Sequence, residues 1–75
     1  MSGGIKKWYL KQWAIGGYFQ YEIYQVVAGN LMWIEATPIT PSCVTRTANT
    51  EQELRAILEN DCLQIIRQHR KQRMR

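Results

Sequence analysis

Thr50 to Arg75 reads TEQELRAILENDCLQIIRQHRKQRMR. Its apolar residues Leu54, Ile57, Leu58, Cys62, Ile65 and Ile66 recur at the three- and four-residue intervals that place side chains on one face of a helix. Thr50 and Glu53 form a capping box: the threonine hydroxyl is placed to accept the Glu53 amide, while the Glu53 carboxylate can reach back to the Thr50 amide. Together these signals predict a helix over about 51–70. No acid follows Ile66, and Arg67, Arg70, Lys71, Arg73 and Arg75 make 67–75 a basic tail. Cations in a last helical turn complement the helix dipole by about 0.3–1 kcal/mol each, but only within that turn. Five positive charges exceed that need, so the tail is a candidate contact surface for an anionic partner.

Working back from the helix, Pro38 and Pro41 punctuate Thr37–Asn49, remove backbone donors and exclude a central strand there. Cys43–Thr47 is expected to form a short edge strand. Further upstream, Ile5–Ile15 is a strand-like run rich in aromatic residues, and Gly16-Gly17 supplies the positive φ angles of a tight hairpin. Tyr18–Ala28 is the second expected strand, alternating Phe19, Tyr21 and Ile23 with Gln20, Glu22 and Tyr24. Gly29-Asn30 marks a second turn, and Leu31–Ala36 a third strand. The expected architecture is α+β: a three- to four-stranded antiparallel meander with one C-terminal amphipathic helix packed on one face. Its core should comprise Trp8, Leu10, Phe19, Tyr21, Ile23, Trp33 or Ile34, and the helix stripe.

Composition limits what such a chain can be. Its 75 residues form a single domain over 1–75, near the size at which one core barely offsets folding entropy. At 45% hydrophobic and 11% aromatic residues the chain is too core-rich to be disordered. Net charge is +4, which favours a polyanionic or acidic partner. No apolar run approaches the roughly 20 residues of a membrane span, so no membrane partner is expected. MSGGIKKWYLKQW lacks the apolar core of a signal peptide, and a cytoplasmic protein with Cys43 and Cys62 as reduced thiols is expected.

Catalysis finds little support. His69 is the only histidine and has neither an acid to orient it nor a nucleophile beside it. Cys43, Cys62 and His69 lack a zinc-ligand spacing, and no cofactor motif occurs. So short a chain should also lack a pocket of roughly 300 Å³ or more. The expectation is a protein that is not an enzyme, without metal or cofactor.

Binding is the better supported class. On an ideal strand Lys7, Tyr9, Lys11 and Trp13 share one face, placing two rings between two ammonium groups as in modules that stack bases beside phosphate-binding lysines. Simple cross-strand pairing of Tyr9 and Trp13 with Tyr18, Tyr24 or Val26 is the structural alternative. Three antiparallel strands followed by one helix resemble, in element order, the β3α DNA-binding modules such as the arm-binding domain of tyrosine recombinases, which lay their sheet in the major groove. The format is also similar to small phage or mobile-element proteins that occupy a host protein's nucleic-acid surface. No diagnostic residue accompanies either resemblance, so no site residue is transferred from them.

Two functions are therefore expected. In the first, Lys6, Lys7, Lys11, Arg67, Arg70, Lys71 and Arg73 neutralise DNA or RNA phosphates while Tyr9 and Trp13 meet bases or sugars. In the second, the exposed aromatic sheet face binds a protein, an acidic one included, as a phage-type adaptor or inhibitor. A homodimer formed through that face or an edge strand is expected to cover the remaining apolar surface.

Overall fold

A computed structural model describes residues 4–73 of the chain, with side chains to residue 70. The fold is α+β. Four strands form an antiparallel meander in the order β1 (Ile5–Ile15), β2 (Phe19–Ala28), β3 (Leu31–Pro38), β4 (Arg46–Ala48), and one helix, α1 (Glu51–Arg73), packs on one face.

Turn chemistry sets the strand boundaries. Gly16 and Gly17 have φ of 65° and 70°, left-handed conformations that cost glycine little. The Tyr18 amide donates to the Ile15 carbonyl at 3.2 Å, so Tyr18 closes the turn and β2 starts one residue later than its sequence suggests. β3 runs through Thr37 to Pro38, past the expected end at Ala36, because a proline is tolerated as a last strand residue. The edge strand is Arg46–Ala48 rather than Cys43–Thr47: Ser42 takes a left-handed φ of 77°, and Cys43–Thr45 are still in the loop. At the helix start the Glu53 amide donates to the Thr50 hydroxyl at 3.1 Å. The reciprocal half of the box does not form, since Glu53 makes no bond to the Thr50 amide.

The core comprises Ile15, Phe19, Tyr21, Ile23, Ile34, Ala36, Leu54, Leu58 and Cys62, with Trp13, Cys43, Ala48 and Ile65 packed at its margin. Ile34 rather than Trp33 takes the buried β3 position. Val26 is buried separately, on the outer sheet face between its cross-strand neighbours Lys7 and Trp33. Trp8 and Leu10, expected inside, are 50% and 41% exposed, and the helix residue Ile66 is also exposed.

Stagger explains the exposure of Trp8 and Ile66. The molecule measures 57 × 19 × 19 Å, whereas β1 and α1 each span only about 35–37 Å at ~3.4 Å per strand residue and ~1.5 Å per helical residue. They must therefore be offset by roughly 20 Å along the long axis. Ion pairing agrees: α1 begins over Lys11, six residues into β1, where Glu51 meets the lysine ammonium at 2.8 Å. Trp8 lies opposite Gln25 on the helix-bearing face, but beyond the helix's reach. At the other end, α1 projects past the β1–β2 hairpin.

Candidate binding surfaces

The expected row of Lys7, Tyr9, Lys11 and Trp13 does not share a face. β1 pairs Tyr9 with Tyr24 and Lys11 with Ile23, leaving Leu10 as the extra residue of a β-bulge. One inserted residue exchanges the faces of everything before it. Lys7 and Tyr9 therefore lie on the outer face, and Lys11 and Trp13 on the helix face.

Each pair is absorbed into local structure. On the outer face, Tyr9 meets Tyr24 edge-on with ring centroids 5.8 Å apart, the cross-strand pairing that competed with base stacking. Lys7 Nζ lies 5.6 Å from the Tyr24 ring centre and binds Glu35 at 2.8 Å, while Thr37 donates to the same carboxylate. The Tyr24 hydroxyl donates to Glu22 at 2.9 Å, a bond that first and foremost raises the Tyr24 pKa, with burial second. On the helix face, Trp13 packs at the core margin under the Arg55 guanidinium, 5.4 Å from the ring centre.

Charge accounting then isolates one end of the molecule. Four of the six carboxylates bind Lys7, Lys11, Arg46 and Arg55. The Arg46 pair with Asp61 is bidentate, at 2.7 and 3.2 Å, and this hydrogen bonding raises the guanidinium pKa. Among the described residues Lys6, Arg67 and Arg70 have no carboxylate within 4.0 Å. Lys6 lies near the start of β1, and the two arginines lie on the projecting end of α1, so Lys6 does not share a surface with Arg67 and Arg70. Lys71 and Arg73 belong to α1, but their side chains lie outside the described residues, as does Arg75.

Beside that helix end is a groove the sequence reading missed. It is an open trough of about 890 Å³, larger than the sequence of so short a chain leads one to expect. Ile15 and Phe19 of the hairpin, Thr40–Ser42 of the β3–β4 loop, and Cys62, Leu63, Ile65 and Ile66 of α1 supply its walls. Leu63 and Ile66 are about half exposed there, at 51% and 40%. Glu59 lies at one end of the helical wall, His69 and Arg70 at the other. No single motif signals this site, because it arises where the helix overruns the sheet. The apolar stripe continuing through Ile65 and Ile66, one turn beyond what the hairpin can cover, is its only trace in the sequence.

Beneath the groove the Tyr21 hydroxyl lies 3.9 Å from Cys62 Sγ, with Cys43 as a further neighbour. Burial, and then these thiols, push the Tyr21 pKa well above its ordinary value. Burial likewise raises the Cys62 pKa, opposed by the tyrosine hydrogen bond. Both thiols are free, and among the described residues no group of three His, Cys, Asp or Glu side chains is placed to hold a metal ion. No helix among those residues is long and apolar enough to cross a membrane.

No family model, no curated protein and no solved structure matches this chain.

Proposed function

We propose that this protein is a non-enzymatic cytoplasmic binding module that takes an apolar, acid-flanked segment of another protein into the groove beside the end of α1. The observation that carries the reading is the juxtaposition of an apolar trough of about 890 Å³ with His69 and Arg70 at one end. Apolar walls supply affinity by burying partner side chains, and opposite charges at the two ends of the rim supply orientation. From Glu59 to Arg70 the helical wall is about 16 Å long, which suits a partner helix of about three turns. The polarity of that wall, with Glu59 at one end and Arg70 at the other, favours a partner with its carboxylates toward Arg70.

A second reading is nucleic-acid binding, favoured by the lack of carboxylate partners at Arg67 and Arg70. It draws on the helix end more than on the sheet, because Lys7 and Lys11 are each held by a carboxylate of the same chain.

Titration of the full chain with two fluorescent probes separates the readings. An amphipathic peptide with Leu and Glu at helical spacing should bind, and Ile66→Lys should weaken it at least tenfold with little salt response. Duplex and single-stranded oligonucleotides at two salt concentrations test the other reading, for which four or more phosphate contacts give a log–log salt slope of roughly −3 or steeper. Oligonucleotide binding with such a slope, and no peptide binding, moves the assignment to nucleic acid. Failure of both probes removes the helix end as a binding surface.

A further inference from the structure

β1 is an eleven-residue strand at the sheet edge, paired on one side only. Such an edge offers unpaired amides and carbonyls to another chain, and proteins guard it with lysines, bulges or a covering element. Guarding here is partial. Lys7 and Lys11 are drawn away from the edge into ion pairs with Glu35 and Glu51 of their own chain, at 2.8 Å each. The bulge at Leu10 protects only the part of the strand around it. The other sheet edge, three residues long, is tied to α1 through Arg46 and Asp61.

Apolar side chains crowd the same unguarded stretch. Ile5, Trp8, Tyr9 and Leu10 are all exposed, and Trp8 lies on the helix-bearing face where its own helix does not reach. We infer that this edge pairs with β1 of a second copy, antiparallel about a two-fold axis at Trp8, joining two four-stranded sheets into one of eight.

Charge selects the second copy and this register. With Trp8 opposite its symmetry mate, Lys7 faces Tyr9 of the second copy and Tyr9 faces Lys7, and the regular pairing stops at Tyr9, just before the bulge. No lysine opposes a lysine. Centring the axis on Lys7 instead sets lysine directly against lysine, which is disfavoured, and centring it on Tyr9 would carry the pairing across the bulge. The Trp8 register also ends at the bulge, so it uses the regular part of the strand. Both helices then lie on the same face. Each starts over its own Lys11, about 20 Å along the strand from the other, with the two tryptophans between them. The grooves remain open at the two far ends.

Sedimentation equilibrium of the full chain across a concentration series tests this directly. A reversible dimer is expected, with Trp8→Lys raising the dissociation constant at least tenfold while far-ultraviolet dichroism is unchanged. Tyr18→Lys, on the hairpin, should leave it unaltered. A second measurement uses Trp8→Cys with oxidised glutathione: a covalent dimer mapped by peptide mass to position 8 should form much faster than one at position 18 in Tyr18→Cys. A monomer at every concentration overturns the inference. So does a dimer indifferent to Trp8→Lys, or equal cross-linking in the two cysteine variants. None of these readouts involves a groove ligand, so the inference stands or falls apart from the proposed function.

Discussion

Lys7 and Lys11, four residues apart on one strand, close 2.8 Å ion pairs on opposite faces of the sheet, Lys7 with Glu35 and Lys11 with Glu51. A strand without a bulge would place both on the same face. The two pairs also differ in solvation: the Glu35 side chain is 16% exposed, against 43% for Glu51. Double-mutant cycles should therefore give a coupling near the upper end of the 0–1 kcal/mol range for Lys7–Glu35 and a few tenths for Lys11–Glu51. In about 1 M salt, where screening acts over roughly 3 Å, the second coupling should vanish first. Equal couplings and equal salt responses would argue that the faces are not distinct.

The buried Tyr21 hydroxyl predicts a specific alkaline instability. Its pKa is raised above the ordinary 10.0, so above that pH the unfolded chain loses a proton that the folded chain retains. The stabilising contribution is complete below pH 10 and declines as pH rises beyond it, by about 1.4 kcal/mol per unit. Tyr21→Phe should cost about 1 kcal/mol or less at pH 7 and become the more stable protein near pH 11. Urea melts at the two pH values check the crossing. Parallel pH dependence of the two proteins would exclude Tyr21 as its source.

Leu58 and Ile66 belong to one sequence stripe but should behave differently. Leu58 is fully buried, and truncation to alanine should cost about 2–5 kcal/mol, enough to unfold much of the population of so small a domain. Ile66→Ala should cost less, about 1 kcal/mol, because 40% of its surface stays in water after folding, yet it should impair peptide binding in the groove. Chemical denaturation and titration of the two variants distinguish a core residue from a contact residue.

At the helix start, Thr50→Ala removes the acceptor of the Glu53 amide and should cost about 1 kcal/mol. Thr50→Asn should restore most of it. If Thr50→Ala shows no loss of thermal stability, the cap is redundant.

Ser42 holds a left-handed φ of 77°, which glycine adopts without the steric cost of a Cβ. Ser42→Gly should therefore be neutral or stabilise by up to about 1 kcal/mol, whereas Ser42→Val should destabilise. Thermal melts of the pair decide it.

Much of the architecture was legible because local and global signals agreed. Gly16-Gly17, the alternation of Phe19, Tyr21 and Ile23, and the Thr50 cap each act within a few residues. What escaped depends on distance. The bulge at Leu10 leaves no mark in β1 taken alone; it exists because Ile15 and Trp13 must face the helix while Tyr9 and Lys7 meet Tyr24 and Glu35. Trp8 reads as core because periodicity reports which face a residue shares, not how far the covering helix extends, and Leu10 reads as core only on a strand without the bulge. Ala36 and Ile15 were missed for the complementary reason, being buried by what lies above them. The groove combines both effects, since it requires the helix to outrun the hairpin. The β3–β4 loop must then close the third wall.

Displacement of helix against sheet also determines which parts of the protein can open independently. Amide hydrogen exchange should be slowest at Tyr21, Ile23, Ala36, Leu54 and Leu58, where both layers overlap. The start of β1 and the last turns of α1 should exchange through local fraying that leaves the centre intact. A ligand at either extremity would quench that breathing and slow exchange there first, so the sites of protection would identify which end had been engaged before the ligand's identity was known.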